Sequence, residues 1–95
     1  MNFPFGRKTI EVTICDDEHN ESAFKGMEEF LQKIYGAEYI GDDWGVGGSQ
    51  EIYQKNYKIK KDTVTLQKET YMGISLVGPK SLVTEITTRG KNRWE

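Results

Sequence analysis

Residues 21–36 read Glu21-Ser22-Ala23-Phe24-Lys25-Gly26-Met27-Glu28-Glu29-Phe30-Leu31-Gln32-Lys33-Ile34-Tyr35-Gly36. Ala23, Phe24, Met27, Phe30, Leu31, Ile34 and Tyr35 recur at intervals of three and four, which lines them along one stripe of an α-helix. Lys25 and Glu29, then Glu29 and Lys33, stand four apart on the outer face and add slight support. Asp17 and Asn20 both suit the N-cap, and acids ahead of the helix favour the positive end of its dipole. Gly36 suits a left-handed C-terminal cap. A helix over about 21–35 must lay its stripe on something, and the flanking segments read as strands.

Upstream, residues 7–15 alternate Ile10, Val12 and Ile14 with Thr9, Glu11, Thr13 and Cys15, a period of two rich in β-branched residues. Downstream, residues 37–40 suggest a short strand. The segment Gly41-Asp42-Asp43-Trp44-Gly45-Val46-Gly47-Gly48-Ser49 holds four glycines and predicts an irregular loop. Residues 51–60 place Tyr53, Tyr57 and Ile59 on one alternating face, and Lys61-Asp62 reads as a turn. Residues 63–68 alternate around Val64 and Leu66. Residues 71–77 place Met72, Ile74 and Leu76 together, and Gly78-Pro79 ends the sheet. Leu82, Val83 and Ile86 then fall at helical spacing, although the β-branched run 83–88 also fits a strand. A short helix over about 79–88 is the favoured reading. The order is β-α-(β)-β-β-β-α: an α+β fold, with helices on one face of a mainly antiparallel sheet of four to five strands.

Ninety-five residues make one domain, 1–95. The apolar fraction is only 36%, but eleven aromatic side chains support a packed core, and a disordered chain is poor in them. No run reaches the length of a membrane span. Residues 1–8 lack the order of a secretory signal. Cys15 is the single cysteine, so no internal disulfide forms. The expected compartment is the cytoplasm. Net charge is −2, yet residues 1–51 hold eleven acids and four bases, and residues 52–95 four acids and nine bases. Such imbalance orients a partner unless the fold mixes the two halves.

Catalytic and metal-binding patterns fail on inspection. Cys15 and His19 straddle a strand end and a helix start, without a third orienting group. A calcium loop needs glycine at its sixth position and glutamate at its twelfth; from Asp16 these are Glu21 and Met27, and from Asp17 they are Ser22 and Glu28. One Cys and one His do not make a zinc site. No lysine precedes Ser49, so Gly45–Ser49 is not a phosphate loop. The expectation is a binding protein with no catalytic residue, metal or cofactor.

Two surfaces carry that expectation. The first is acidic: Asp16, Asp17 and Glu18 at the helix start, and Asp42 and Asp43 beside Trp44. Trp44 either folds back as a lid on the core or stands outward as an interface anchor. The second is the run Tyr53, Lys55, Tyr57, Lys58, Lys60 and Lys61, whose rings and cations suit single-stranded nucleic acid or, equally, a core-facing strand with lysines guarding its edge. The leading expectation is a small bacterial toxin-neutralising protein of the immunity or inhibitor type. It would hold a basic partner, such as a nuclease domain, on Asp42, Asp43, Trp44, Asp16, Asp17 and Glu18. A nucleic-acid module is the first alternative, and a small subunit of a larger assembly joined by strand pairing is the second.

Overall fold

The computed structural model describes residues 8–48 and 50–90; Arg7 and Ser49 of the segments above lie outside them. In chain order the elements are β1 (Thr9–Cys15), α1 (Glu21–Tyr35), β2 (Glu38–Gly47), β3 (Gln50–Ile59), β4 (Asp62–Glu69), β5 (Gly73–Pro79) and α2 (Lys80–Arg89). The strands form one sheet, β1-β5-β4-β3-β2, with every pairing antiparallel. The fold is α+β. Strands β2 to β5 are a meander, and α1 carries the chain from the β1 edge to the β2 edge.

Alternation along the strands sorts the side chains. Tyr57 and Ile59 of β3, Val64 and Leu66 of β4, and Ile74 and Leu76 of β5 form a buried layer. Ala23, Phe24, Met27, Phe30 and Leu31 of α1 close over it, with Val83 and Ile86 of α2. Each large side chain so buried contributes about 1.5–3 kcal/mol. Ile34, at the end of the stripe, remains 41% exposed. Asn20, not Asp17, is the N-cap: its side chain accepts the Ala23 N–H at 3.0 Å. Asp17 instead accepts the His19 N–H at 2.9 Å. Gly36 closes the helix in the left-handed conformation.

The C-terminal segment is helical despite its β-branched residues. Val83 and Ile86, three apart, share a helix face and are fully buried. That burial outweighs a propensity deficit of a few tenths of a kcal/mol per residue. Thr87 Oγ1 donates back to the Val83 carbonyl at 2.8 Å.

Three local expectations are corrected. The glycine-rich segment is not a loop: β2 runs to Gly47, and Trp44, Gly45, Val46 and Gly47 pair with Tyr53, Ile52, Glu51 and Gln50. Glycine costs a strand roughly 0.5–1 kcal/mol per residue, which a continuous ladder to β3 offsets. Met72 is not on a strand face. Its N–H donates to the Glu69 carbonyl at 2.9 Å, closing the β4–β5 turn, and its side chain is 55% exposed. The β3–β4 turn is Lys60-Lys61, because Ile59 already pairs with Asp62.

Candidate partner-binding surface

Helix α1 has 15 residues and is therefore about 22 Å long. Strand β2 then returns along it. From Glu38 to Trp44 the strand advances about 20 Å, so Trp44 arrives level with the start of the helix. One open groove of about 380 Å³ is accordingly lined by Glu18 and His19, by Trp44, and by Glu51, Tyr53, Lys68, Glu69 and Thr70. The two acidic segments that lie far apart in sequence thus meet through Glu18 and Trp44.

Trp44 is 66% exposed, so it is no lid on the core. It stands opposite Tyr53 on the β2–β3 ladder. The Tyr53 ring lies 6.2 Å from that of Phe24. Lys68 Nζ sits over Phe24 at 5.0 Å and over Tyr53 at 5.7 Å. An aromatic run therefore crosses from β2 over β3 to α1, and Lys68 occupies its inner part by cation–π contact. The indole of Trp44 is left as the outer, unoccupied part.

Asp42 and Asp43 do not act as a pair, because successive strand residues face opposite ways. Asp42 lies on the helix side. Its carboxylate accepts the hydroxyl protons of Tyr39 and, at 3.2 Å, of Tyr53. That bond to Asp42 pushes the Tyr39 hydroxyl up to about 12. Asp43 lies on the face opposite the helices and accepts from Asn56 Nδ2 at 3.1 Å; Asn56 Oδ1 accepts from Thr65 at 2.7 Å. Asp16 and Asp17 are exposed on the β1–α1 connection and do not line the groove.

The aromatic–basic run is split as well, so it forms no continuous stacking platform. Tyr57 is 1% exposed. Its hydroxyl and Lys55 Nζ both donate to Glu28 Oε2 at 2.6 Å. Burial first, and then the Glu28 carboxylate, raises the Tyr57 pKa; Glu28 likewise raises that of Lys55. Lys58 projects to the opposite face from Tyr53, Lys55 and Tyr57, and Lys60 and Lys61 form the turn. Tyrosines at alternate positions point to one face, and here that face is the core.

Cys15 has Asn20 and Asp17 as hydrogen-bond partners, whereas His19 pairs with Glu18 at 3.5 Å. Among the described residues no three His, Cys, Asp or Glu side chains are placed to hold a metal ion. No helix among them is long and apolar enough to cross a membrane.

The sequence reading missed Tyr71, Met72 and Val46, which are 77%, 55% and 59% exposed at the same end of the sheet. Tyr71 has φ 68° at the third position of its turn, where glycine or asparagine is usual. The turn Glu69-Thr70-Tyr71-Met72 lacks both residues, so no turn motif in the sequence marks Tyr71.

Strand directions also sort the charges. The groove end gathers Asp16, Asp17, Glu18, Glu21, Glu51 and Glu69, with Lys68 among them. The opposite end carries Lys8, Lys33, Lys58, Lys60, Lys61 and Lys80, with Glu38 and Asp62 among them. The imbalance between chain halves becomes a polarity between molecular ends.

These features define a small α+β domain: a five-stranded antiparallel sheet covered by helices on one face, with an aromatic and acidic groove at one end. No protein family, curated protein or solved structure matches the chain.

Proposed function

We propose that the chain is a non-catalytic binding domain that captures a basic protein surface at the groove end of its sheet. In this reading it is a small bacterial neutralising protein of the immunity type, acting in the cytoplasm on a toxin with a cationic active site, such as a nuclease. The observation that carries the reading is the Trp44 indole, 66% exposed in a groove edged by Glu18, Glu51 and Glu69, three acids against the one cation of Lys68.

An exposed indole forgoes roughly 1.5–3 kcal/mol of burial, which a partner recovers on docking. Trp and Tyr are enriched among residues that dominate binding energy, and Tyr71 extends the same end. Surrounding carboxylates steer a cationic partner and raise its association rate. Nuclease active sites are cationic because they hold phosphates, so an acidic surface competes for the same groups.

The test is affinity capture from the native host with the wild-type chain and a Trp44→Ser/Glu18→Lys variant in parallel. A basic protein held by the wild type and lost from the variant is the expected result. Titrating the chain into that purified protein should abolish its activity at a one-to-one ratio. A partner held equally by both chains, or capture of nucleic acid alone, removes this reading.

A further inference from the structure

Strand β2 is the outermost strand of the sheet and pairs only with β3, while both helices lie over other strands. It has 10 residues, against a usual five or six. Its outer row of backbone N–H and C=O groups has no strand beside it among the described residues. Proteins blunt such edges with charged side chains, lysine above all, with proline or with bulges, because an open edge pairs with other chains. Glu38–Gly47 contains neither lysine nor proline. Its one bulge lies between Tyr39 and Gly41, leaving Asp42–Gly47 regular. The β1 edge differs: α2 packs on that strand, and the Lys80 N–H binds the Lys8 carbonyl at 2.8 Å.

The charges on β2 select the occupant. Glu38, Asp42 and Asp43 are its only ionic residues. Two copies of β2 paired antiparallel about Asp42 or about Asp43 would set that aspartate against its own counterpart, which is unfavourable. A basic strand meets Asp42 on the helix side and Asp43 on the opposite face. An apolar residue two positions from the one that meets Asp42, on the same helix side, reaches the Trp44 ring.

The geometry points to strand addition: β2 accepts an extended basic segment of a partner protein as the sixth strand of the sheet. This rests on the basic-partner reading above and supplies its mode of attachment. Main-chain bonds give affinity, the aspartates select charge, and Trp44 sets register.

The probe is a ten-residue peptide of Lys, Arg, Val and Thr, compared with a counterpart carrying Glu for each base. Two further forms are N-methylated, each on one alternate set of residues. Amide hydrogen exchange of the full ¹⁵N-labelled chain is followed by NMR. The basic peptide should slow alternate amides between residues 41 and 47 at least tenfold, and the Glu peptide should leave them unchanged. One N-methylated form should lose the effect and the other should keep it.

Shifts confined to the groove around Glu18 and Trp44, with β2 exchange unaltered, overturn strand addition but leave the basic-partner reading standing. No saturable binding of the basic peptide at millimolar concentration also overturns strand addition, and the capture experiment then judges the groove alone. A dimer by sedimentation whose β2 amides are already slow overturns the basic occupant in favour of a second copy.

Discussion

The Glu18 carboxylate accepts the backbone N–H of Tyr71 at 3.3 Å. One bond thereby ties the start of α1 to the β4–β5 turn, 53 positions along the chain. It braces the turn whose central residue has an unfavourable backbone conformation. The same carboxylate faces the groove beside Trp44, so two exposed aromatics are held near one acid.

Tyr71→Gly should raise stability while weakening binding. A non-glycine residue at positive φ costs about 1–2 kcal/mol, and glycine returns part of that as unfolded-state entropy. A net gain of up to about 1 kcal/mol in urea denaturation is expected, with partner affinity falling tenfold or more. Lys60, with φ 57° at the opposite end, is the control: Lys60→Gly should give a similar gain with affinity unchanged. A Tyr71→Gly chain that binds like wild type would show that the ring makes no contact.

Trp44→Ser should separate binding from folding. The indole is mostly in solvent, so stability should change by no more than about 0.5 kcal/mol. Met27, fully buried under the sheet-facing side of α1, should cost about 2–5 kcal/mol when changed to Ala. Equal losses in the two melts would mean that Trp44 belongs to the core.

Stability should fall above pH 10. Tyr57 and Lys55 hold their protons more tightly in the folded chain than at their ordinary values of 10.0 and 10.5. Their contribution is complete below those values. As pH rises past them the unfolded chain releases protons first, so unfolding gains. Tyr57→Phe removes a bond to a charged acceptor and should cost about 1.5–3 kcal/mol at pH 7, yet its stability should decline less steeply between pH 9.5 and 11.5. Parallel profiles in urea titrations would exclude Tyr57 as a source of the decline.

Two glycines should answer alanine oppositely. At Gly73, with φ 90°, a Cβ would lie 2.3 Å from the Cys15 carbonyl oxygen and 2.8 Å from the Asp16 Cα. Both contacts are backbone, so the end of β1 would have to move. Gly73→Ala should cost about 3 kcal/mol or more. Nothing lies within 4 Å of a Cβ at Gly45, and Gly45→Ala should be neutral or stabilise by roughly 0.5–1 kcal/mol. Thermal melts followed by far-ultraviolet circular dichroism would rank the two.

Much of the fold was legible because buried faces leave a period. The α1 stripe fixed its range, and the alternation of Tyr57 with Ile59 and of Val64 with Leu66 fixed the central strands. The ambiguity at 83–88 was real: a three-residue repeat of Val83 and Ile86 competes locally with β-branching, and only packing against β1 and β5 decides it. The acid–aromatic surface was legible in residue type, and Trp44 and Glu18 do meet. Its membership was not legible, since Asp43 faces away, Asp16 and Asp17 stand aside, and Tyr71 enters from a turn with no conspicuous motif.

By itself, the amino-acid order determined an α+β chain with one long helix, a meander and a surplus of acids in its first half. These properties are local, and periodicity records them. Tertiary structure alone decided that the glycine-rich segment is an edge strand and that it returns to the start of α1. Glycines and exposed side chains leave no burial pattern to read, so β2 takes its conformation from the ladder that β3 offers.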